Sequence, residues 1–262
     1  MSPSIHLRAE VISRRDVSPE LWVVRLMTEE KVAFEPGQYV TIRLPDGSRS
    51  VERPYSVASS PADRELEFFV ELVREGELTP QLYDVPVGGE VRLRRLAKGR
   101  FLFDRRSGHA NHFMVATVTG VAPFLSMLRD FVAAQADGQS IPYRVALLHA
   151  ASAPAEFGYL DELSACASRN AWFRYIPTVS RTWSEPDWPG EKGRAEDVLR
   201  KHLDAPGWTP ADTTVYLCGH PDMVRNSQDI LLRAGFAKDG VKVEQYWVEA
   251  APRDQQGRSN SK

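Results

Sequence analysis

Arg53-Pro54-Tyr55-Ser56 sets a fixed cation, an aromatic ring and a hydroxyl along one short stretch between Val51 and Ser60. Those residue types suit a flavin. A planar guanidinium matches a phosphate as a fork, a Tyr55 ring can lie against an isoalloxazine or hydrogen-bond it, and the Ser56 hydroxyl can reach a ring nitrogen. Pro54 fixes one backbone angle between them. The same four residues also read as a half-buried strand carrying an ordinary Arg and Tyr, so the argument has to come from the stretches that follow.

Three of these lie in the second half of the chain. Ala116 to Phe124 runs from an apolar strand into a helix that starts at Pro123, and Thr119-Gly120 between them would offer backbone donors to a pyrophosphate. Thr178-Val179-Ser180-Arg181 ends another strand, where parallel sheets bind ligands. Tyr216-Leu217-Cys218-Gly219 ends a third, with Arg225 one helical turn further on. Blander roles stay open for each: Cys218 as a small buried residue, Arg181 paired with Glu185, Arg225 paired with Asp229. Nearer the start, Leu78 to Tyr83 reads as one short helix capped by Thr79 with Pro80 first inside it, and a helix start can also receive a phosphate.

The elements that must position these groups fall into two textures. Up to residue 103 the chain alternates short strands with Pro and Gly breaks: Ile5 to Ser13, Leu21 to Thr28, Gln38 to Leu44, Arg53 to Ser59, Glu65 to Val73 and Glu90 to Leu96. That spacing predicts a six-stranded antiparallel barrel, with turns at Pro36-Gly37 and Pro45-Asp46-Gly47. From His112 strands alternate with helices: strand His112 to Val118, helix Pro123 to Gln135, strand Tyr143 to His149, helix Leu160 to Ser168, strand Trp172 to Val179, helix Arg194 to His202, strand Thr213 to Cys218, helix Pro221 to Ala234 and strand Val241 to Trp247. This is the pattern of an α/β parallel sheet. The predicted division is 1–104, 105–250 and a polar, disordered tail at 251–262, with a charged link near Asp104 to Ala110.

A chain of 262 residues, 42% hydrophobic, supports full cores, and a net charge of −2 gives no global field for nucleic acid or an anionic membrane. No apolar run reaches the ~20 residues of a membrane span and the polar start is unlike a signal peptide, so a soluble, cytoplasmic protein is expected. Cys166 and Cys218 cannot build a disulfide scaffold or ligate an iron–sulfur cluster, so no metal site is expected. No heptad or repeat argues for assembly, which leaves a monomer.

Taken together and in this order, the motifs resemble the ferredoxin–NADP reductase family, bacterial branch, across residues 5–249. The resemblance implies FAD held by Arg53 at its pyrophosphate, Tyr55 stacked on its ring and Ser56 bonded to it, with Pro54 between. It implies a second flavin segment from Val73 through Leu78 to Thr79, the last a phosphate ligand. Cys218 would stand beside the nicotinamide, Thr119 and Gly120 would approach the dinucleotide, and Ser180, Arg181 and Arg225 would favour the 2′-phosphate of NADPH. Tyr246 would cover the isoalloxazine, Trp247 would touch the FAD adenine and Glu249 would serve as a proton partner.

The activity implied is electron transfer between NADPH and a one-electron carrier, ferredoxin or flavodoxin. Such a carrier is acidic, and Arg92, Arg94, Arg95, Lys98 and Arg100, followed by Arg105 and Arg106 with Asp104 as the acid among them, offer it a docking strip or a merely solvated strand face. An NADH-dependent reductase serving an oxygenase, free flavin or ferric chelates is one alternative, and a catalytically silent flavin module is another. One departure bears on both: Val118 stands where the family carries the first glycine of Gly-Thr-Gly. The expectation is that Val118 extends the strand before it, so that the position needs no positive φ and the side chain only narrows the pocket; the alternative is that nicotinamide binding is weakened.

Overall fold

The computed structural model describes residues 4–45 and 51–245. Its first half is an antiparallel sheet of β1 (His6–Ser18), β2 (Leu21–Thr28), β3 (Tyr39–Arg43), β4 (Glu52–Ser56), β5 (Leu66–Glu71) and β6 (Glu90–Arg94), with a short helix α1 (Thr79–Asp84) between the last two. The spatial order β4-β3-β6-β1-β2-β5 is that of a curled sheet. Ala58 N donates to Glu67 O at 2.8 Å, which joins the chain just past β4 to β5 and closes the barrel.

Hydrophobic patterning explains how this barrel meets the second half. In β1, Leu7, Ala9 and Val11 are buried while Arg8 and Glu10 are exposed, the alternation of a strand with one wet face. In β2 the run Leu21–Val24 and in β5 the run Leu66–Val70 are buried without alternation, because both faces are covered there. Trp22, Val24, Leu26, Phe68 and Val70 fill the barrel, and Leu21, Val23 and Phe69 point outward into the core shared with the second half. Burying each such outward side chain contributes roughly 1.5–3 kcal/mol to holding the halves together.

The second half comprises β7 (Asn111–Thr117), α2 (Ala122–Ala136), β8 (Arg144–Ala151), α3 (Leu160–Arg169), β9 (Phe173–Val179), β10 (Glu191–Lys192), α4 (Ala195–Asp204), β11 (Thr213–Gly219), α5 (Pro221–Arg233) and β12 (Val241–Gln245). All its pairings are parallel, in the order β10-β9-β8-β7-β11-β12. Helices cover both faces: α2 and α3 pack into the core shared with the barrel, and α4 and α5 into the opposite one. The chain winds one way from β7 through β10 and returns to the other side at β11, so the switch point lies between the carboxyl ends of β7 and β11.

The link predicted near Asp104 is tied down. Asp104 N donates to the Tyr216 hydroxyl at 3.0 Å, Lys242 pairs with Asp104 at 2.9 Å, and Phe103 stacks within 4.0 Å of the His112 ring. A polar clamp reinforces the apolar contact between halves. Glu67 on β5 accepts from Arg25 at 2.7 Å and from Arg129 of α2 and the Tyr159 hydroxyl, each at 2.8 Å.

Candidate functional site

The switch point is built by two strand ends that interlock. Gly120 has no room for a side chain: a Cβ there would sit 2.4 Å from Cys218 O. Gly219 adopts φ +131°, and a Cβ on it would fall 2.1 Å from Thr117 Oγ1. That hydroxyl accepts from His220 N at 2.8 Å, fixing where β11 hands over to α5. The crevice of an open parallel sheet therefore forms between Thr117–Gly120 and Cys218–His220, with Cys218 fully buried beneath it.

Ser56, from the barrel, reaches this place. It is 6% exposed, and its Oγ donates to Glu244 Oε1 at 3.0 Å. Glu244 on β12 is the register partner of Cys218 on β11. The structure thus brings Ser56, Cys218 and Glu244 to one spot at the junction of the two halves. Burial pushes the Glu244 carboxyl above its ordinary value, and the Ser56 hydrogen bond opposes that only in part. Sequence reasoning passed over Glu244; the signal available was its position two residues before Tyr246 in Val243-Glu244-Gln245-Tyr246-Trp247. Tyr246, Trp247 and Glu249 lie outside the described residues.

Val118 corrects an expectation. It does not extend β7; its φ is +43°, and it opens a single 3-10 turn, Val118–Val121. Among the described residues it is the one non-glycine with positive φ. The tight passage from strand to helix requires a left-handed residue at this place, and the demand of the turn overrides the extended preference of valine.

The flavin-type residues gather on the outer strand β4. Pro54 is exposed on that edge, where a missing N–H costs no ladder bond. The Tyr55 ring meets Phe68 edge to face at 6.5 Å, and burial raises its hydroxyl pKa well above the ordinary tyrosine value. Arg53 Nη2 stands 3.7 Å from a Glu77 oxygen, which brings the second segment beside the first. Thr79 does not cap α1 as expected. It is the first helical residue, Leu78 is the N-cap without a side-chain cap bond, and the Thr79 hydroxyl both donates to Val73 O and accepts from Val73 N at 3.0 Å. Those bonds close the Val73–Thr79 loop, a local use that outcompetes capping. A guanidinium, a ring oriented by Phe68 and a hydroxyl in sequence along one edge, with a tight loop beside them, fit a phosphate-bearing flavin.

At the opposite side of the sheet, Ser180 N donates to Ala151 O and Arg181 N to Ser152 O, both at 3.0 Å, while Gly193 N donates to Val179 O at 2.9 Å. These bonds gather Ser152, Ser180, Arg181 and the backbone of Arg194 at the carboxyl ends of β8, β9 and β10. The sequence reading took Arg194 only as a helix start, because the two-residue strand β10 that folds it back has no periodicity to detect. Arg225 does not join this group. Its strand, β11, is three places from β9 in the sheet, a separation of about 14 Å, and its guanidinium pairs with Asp222 rather than with Asp229.

The basic strip is also more neutral in space than in sequence. Arg92 pairs with Glu90 at 2.7 Å, Arg94 with Glu52 at 2.5 Å, Arg95 with Glu30, and Arg105 with Asp130 at 3.5 Å. Lys98 and Arg100 stand exposed beyond β6. Glu90 is a neighbour on β6, but Glu52 of β4, Glu30 of the β2–β3 connection and Asp130 of α2 are far off in sequence, so only the fold reveals them.

Residues 8–102 match the model of the oxidoreductase FAD-binding domain, and residues 114–229 that of the oxidoreductase NAD-binding domain. The chain is 28% identical to a ferredoxin–NADP reductase of Pseudomonas aeruginosa over 76% of this chain and 78% of that protein. It is 26% identical to the reductase component of a phenol 2-monooxygenase from Pseudomonas sp. strain CF600, over 96% of this chain and 69% of that protein. Among solved structures it is similar to a ferredoxin NADP+ reductase from Neisseria gonorrhoeae with bound FAD and NADP, with a TM-score of 0.82 at 25% identity, covering 93% of this chain and 99% of that one. Among the described residues no helix is long and apolar enough to cross a membrane.

Proposed function

The chain belongs to the ferredoxin–NADP reductase family of FAD- and NAD(P)-binding oxidoreductases, and from that premise we propose that it moves electrons between NADPH and a small one-electron carrier of the ferredoxin or flavodoxin kind. In this reading residues 1–104 hold FAD and residues 105–250 hold the nucleotide. The observation that carries it is that Ser56 of the barrel bonds Glu244, the register partner of Cys218, at the switch point of the sheet, where a flavin held by the barrel would meet a nucleotide held by the sheet.

Bound FAD supplies the ability to take electrons as a hydride pair and release them singly. The chain supplies everything that orients the partners. Arg53 would neutralise the flavin phosphates, Tyr55 would pack against the ring, and Ser56, whose hydroxyl donates to Glu244, would stand at its edge. The Thr119–Gly120 turn, packed on the Cys218 backbone, would form the wall against which the nicotinamide rests. Glu244, whose carboxyl burial raises above its ordinary value, is the group able to hold or pass a proton beside that wall. One NADPH and two oxidised carriers give NADP+, one proton and two reduced carriers, and the proton must leave through a group so placed. Arg181, with Arg194 brought beside it by the backbone and its guanidinium 3.3 Å from Glu196, would offer the charge that a 2′-phosphate needs.

An NADH-using reductase for an oxygenase is the second reading, favoured by the coverage of 96% of this chain in the alignment to the phenol monooxygenase component. Anaerobic mixing of the yellow holoprotein with NADPH and, separately, with NADH decides between them. Faster bleaching with NADPH, and a loss of that preference in Arg181→Ala, supports the first. Equal or faster bleaching with NADH, unaffected by Arg181→Ala, supports the second. A flavin that stays oxidised with both leaves a silent module.

A further inference from the structure

Val118 is held at φ +43°, a conformation that a β-branched side chain adopts only at a cost. Such a backbone persists where its surroundings over-determine it, and here they do. His149 on β8 is completely buried, with Nε2 3.0 Å from Val118 O and Nδ1 3.1 Å from the Tyr175 hydroxyl on β9. A carbonyl can only accept, so Nε2 carries the proton and donates; Nδ1 of the neutral ring then accepts from Tyr175. Burial drives the imidazole pKa down to about 4, which keeps that ring neutral. Phe157 packs edge to face on it at 5.0 Å, fixing its plane.

The other side of the turn is equally fixed. Gly120 lies so close to Cys218 that the turn cannot roll toward β11. Val118 is therefore clamped between His149 and the Gly120–Cys218 contact, with its half-buried side chain packed, at the carboxyl end of β7, against the core cluster that contains Cys218. A glycine in that place would need no clamp and would leave the crevice wider by an isopropyl group.

We propose that Val118 is a specificity-determining residue for the nicotinamide end of the nucleotide, and that His149 and Tyr175 are positioning residues that hold its side chain in the crevice. The inference rests on the nucleotide-binding reading above. Its consequence is that the phosphate, ribose and adenine carry resting affinity, while the isopropyl group restricts the nicotinamide.

Calorimetric titration of the FAD-loaded protein with NADP+ and with 2′,5′-ADP, which lacks nicotinamide, tests this without turnover. The native protein should bind the two within about threefold of each other. In Val118→Gly, NADP+ should bind on the order of tenfold tighter with 2′,5′-ADP unchanged, and the melting temperature should rise by about 2–4 °C as the strained backbone relaxes. Val118→Ala, which keeps the Cβ, should give an intermediate gain. His149→Ala should lower the melting temperature and shift the NADP+ to 2′,5′-ADP ratio toward that of Val118→Gly, whereas His149→Gln, whose amide can still donate to the Val118 carbonyl, should restore the native ratio. An unchanged ratio in both Val118 variants overturns the proposal while leaving the nucleotide reading intact. Failure of the native protein to bind either ligand removes the nucleotide reading and this proposal together.

Discussion

Ser56 Oγ and Glu244 Oε1 lie 3.0 Å apart although 188 positions separate them in the chain. One sits on the outer strand of the barrel and the other on the last described strand of the parallel sheet, so the bond exists only when the two halves are correctly docked. Replacing Glu244 with Gln keeps the shape and removes the ionisable group. The amide oxygen can still accept from Ser56 Oγ but the group can no longer exchange a proton, and general acid–base help is worth about 10²–10⁴-fold, so flavin reduction by the nucleotide should slow by about 100-fold or more and the pH dependence of that step should flatten. Stopped-flow rates from pH 5 to 9 measure both; an unaltered profile would remove Glu244 from the chemistry.

The same group predicts a stability effect of definite sign. Burial raises the Glu244 carboxyl above its ordinary value of 4.5 in the folded state. Its contribution to stability is fully present below that ordinary value and is lost as pH rises through the raised one. Glu244→Gln should therefore be more stable than the native protein at neutral pH, with the difference vanishing in acid. Chemical denaturation at pH 4 and pH 8 checks the sign.

The Glu67 clamp behaves in the opposite sense. Burial pushes its carboxyl up, but the Arg129 charge, together with hydrogen bonds from Arg129, Arg25 and Tyr159, outweighs that and leaves it below the ordinary value. Its stabilisation is present above 4.5 and is lost as pH falls through the depressed value. Arg129→Ala leaves that buried carboxylate short of its main partner, a loss of about 3 kcal/mol that should lower the melting temperature by roughly 6–12 °C at pH 7. The deficit should shrink toward acid pH, and a deficit independent of pH would mean that packing, not charge, holds the halves.

Strand and helix positions were legible because their causes are local. The continuous apolar runs of β7 and β8 and the Pro starts of α2 and α5 announce themselves, and Arg53, Ser56 and Cys218 were legible through the order of their motifs. What stayed hidden depends on distant partners. Glu244 acquires its role from Ser56, Arg194 from a two-residue strand that returns it to β9, and the acids that quiet the basic strip from three other elements. Val118 failed for a different reason: intrinsic preference said extended, and a turn clamped by His149 and Gly120 said left-handed. Tertiary constraint decided it.

The strip itself yields a prediction that separates steering from structure. Arg94 bonds Glu52, which also accepts from His6 at 2.7 Å, so Arg94→Glu should destabilise the barrel. Lys98 and Arg100 project from the same side without that duty. Reversing both to Glu should leave the fold intact and slow association with an acidic carrier about tenfold at low salt, with a weaker salt dependence. Association kinetics that do not change with salt in the native protein would mean the carrier docks elsewhere.

Nucleotide preference should be divided between two arginines that the sequence keeps 13 residues apart and the β9–β10 pairing brings together. Arg181 follows Ser180 at the end of β9; Arg194 follows Gly193, whose N–H donates to Val179 O at 2.9 Å. Each guanidinium that bonds a phosphate contributes about 1.5–3 kcal/mol, so Arg181→Ala and Arg194→Ala should each raise the KM for NADPH roughly 10–100-fold. The kcat should hold, because the phosphate is remote from the reacting carbon and binds equally in ground and transition states. The KM for NADH should not move, having no 2′-phosphate to lose. Arg225→Ala is the control: Arg194 and Arg225 each have an acid beside them, Glu196 and Asp222, but the Arg225 strand end lies about 14 Å away, so its effect on the NADPH to NADH ratio should be less than about threefold. If Arg225 rather than Arg194 governs that ratio, the nucleotide crosses the sheet on the β11 side, and the paired arginines of β9 and β10 are surface charges.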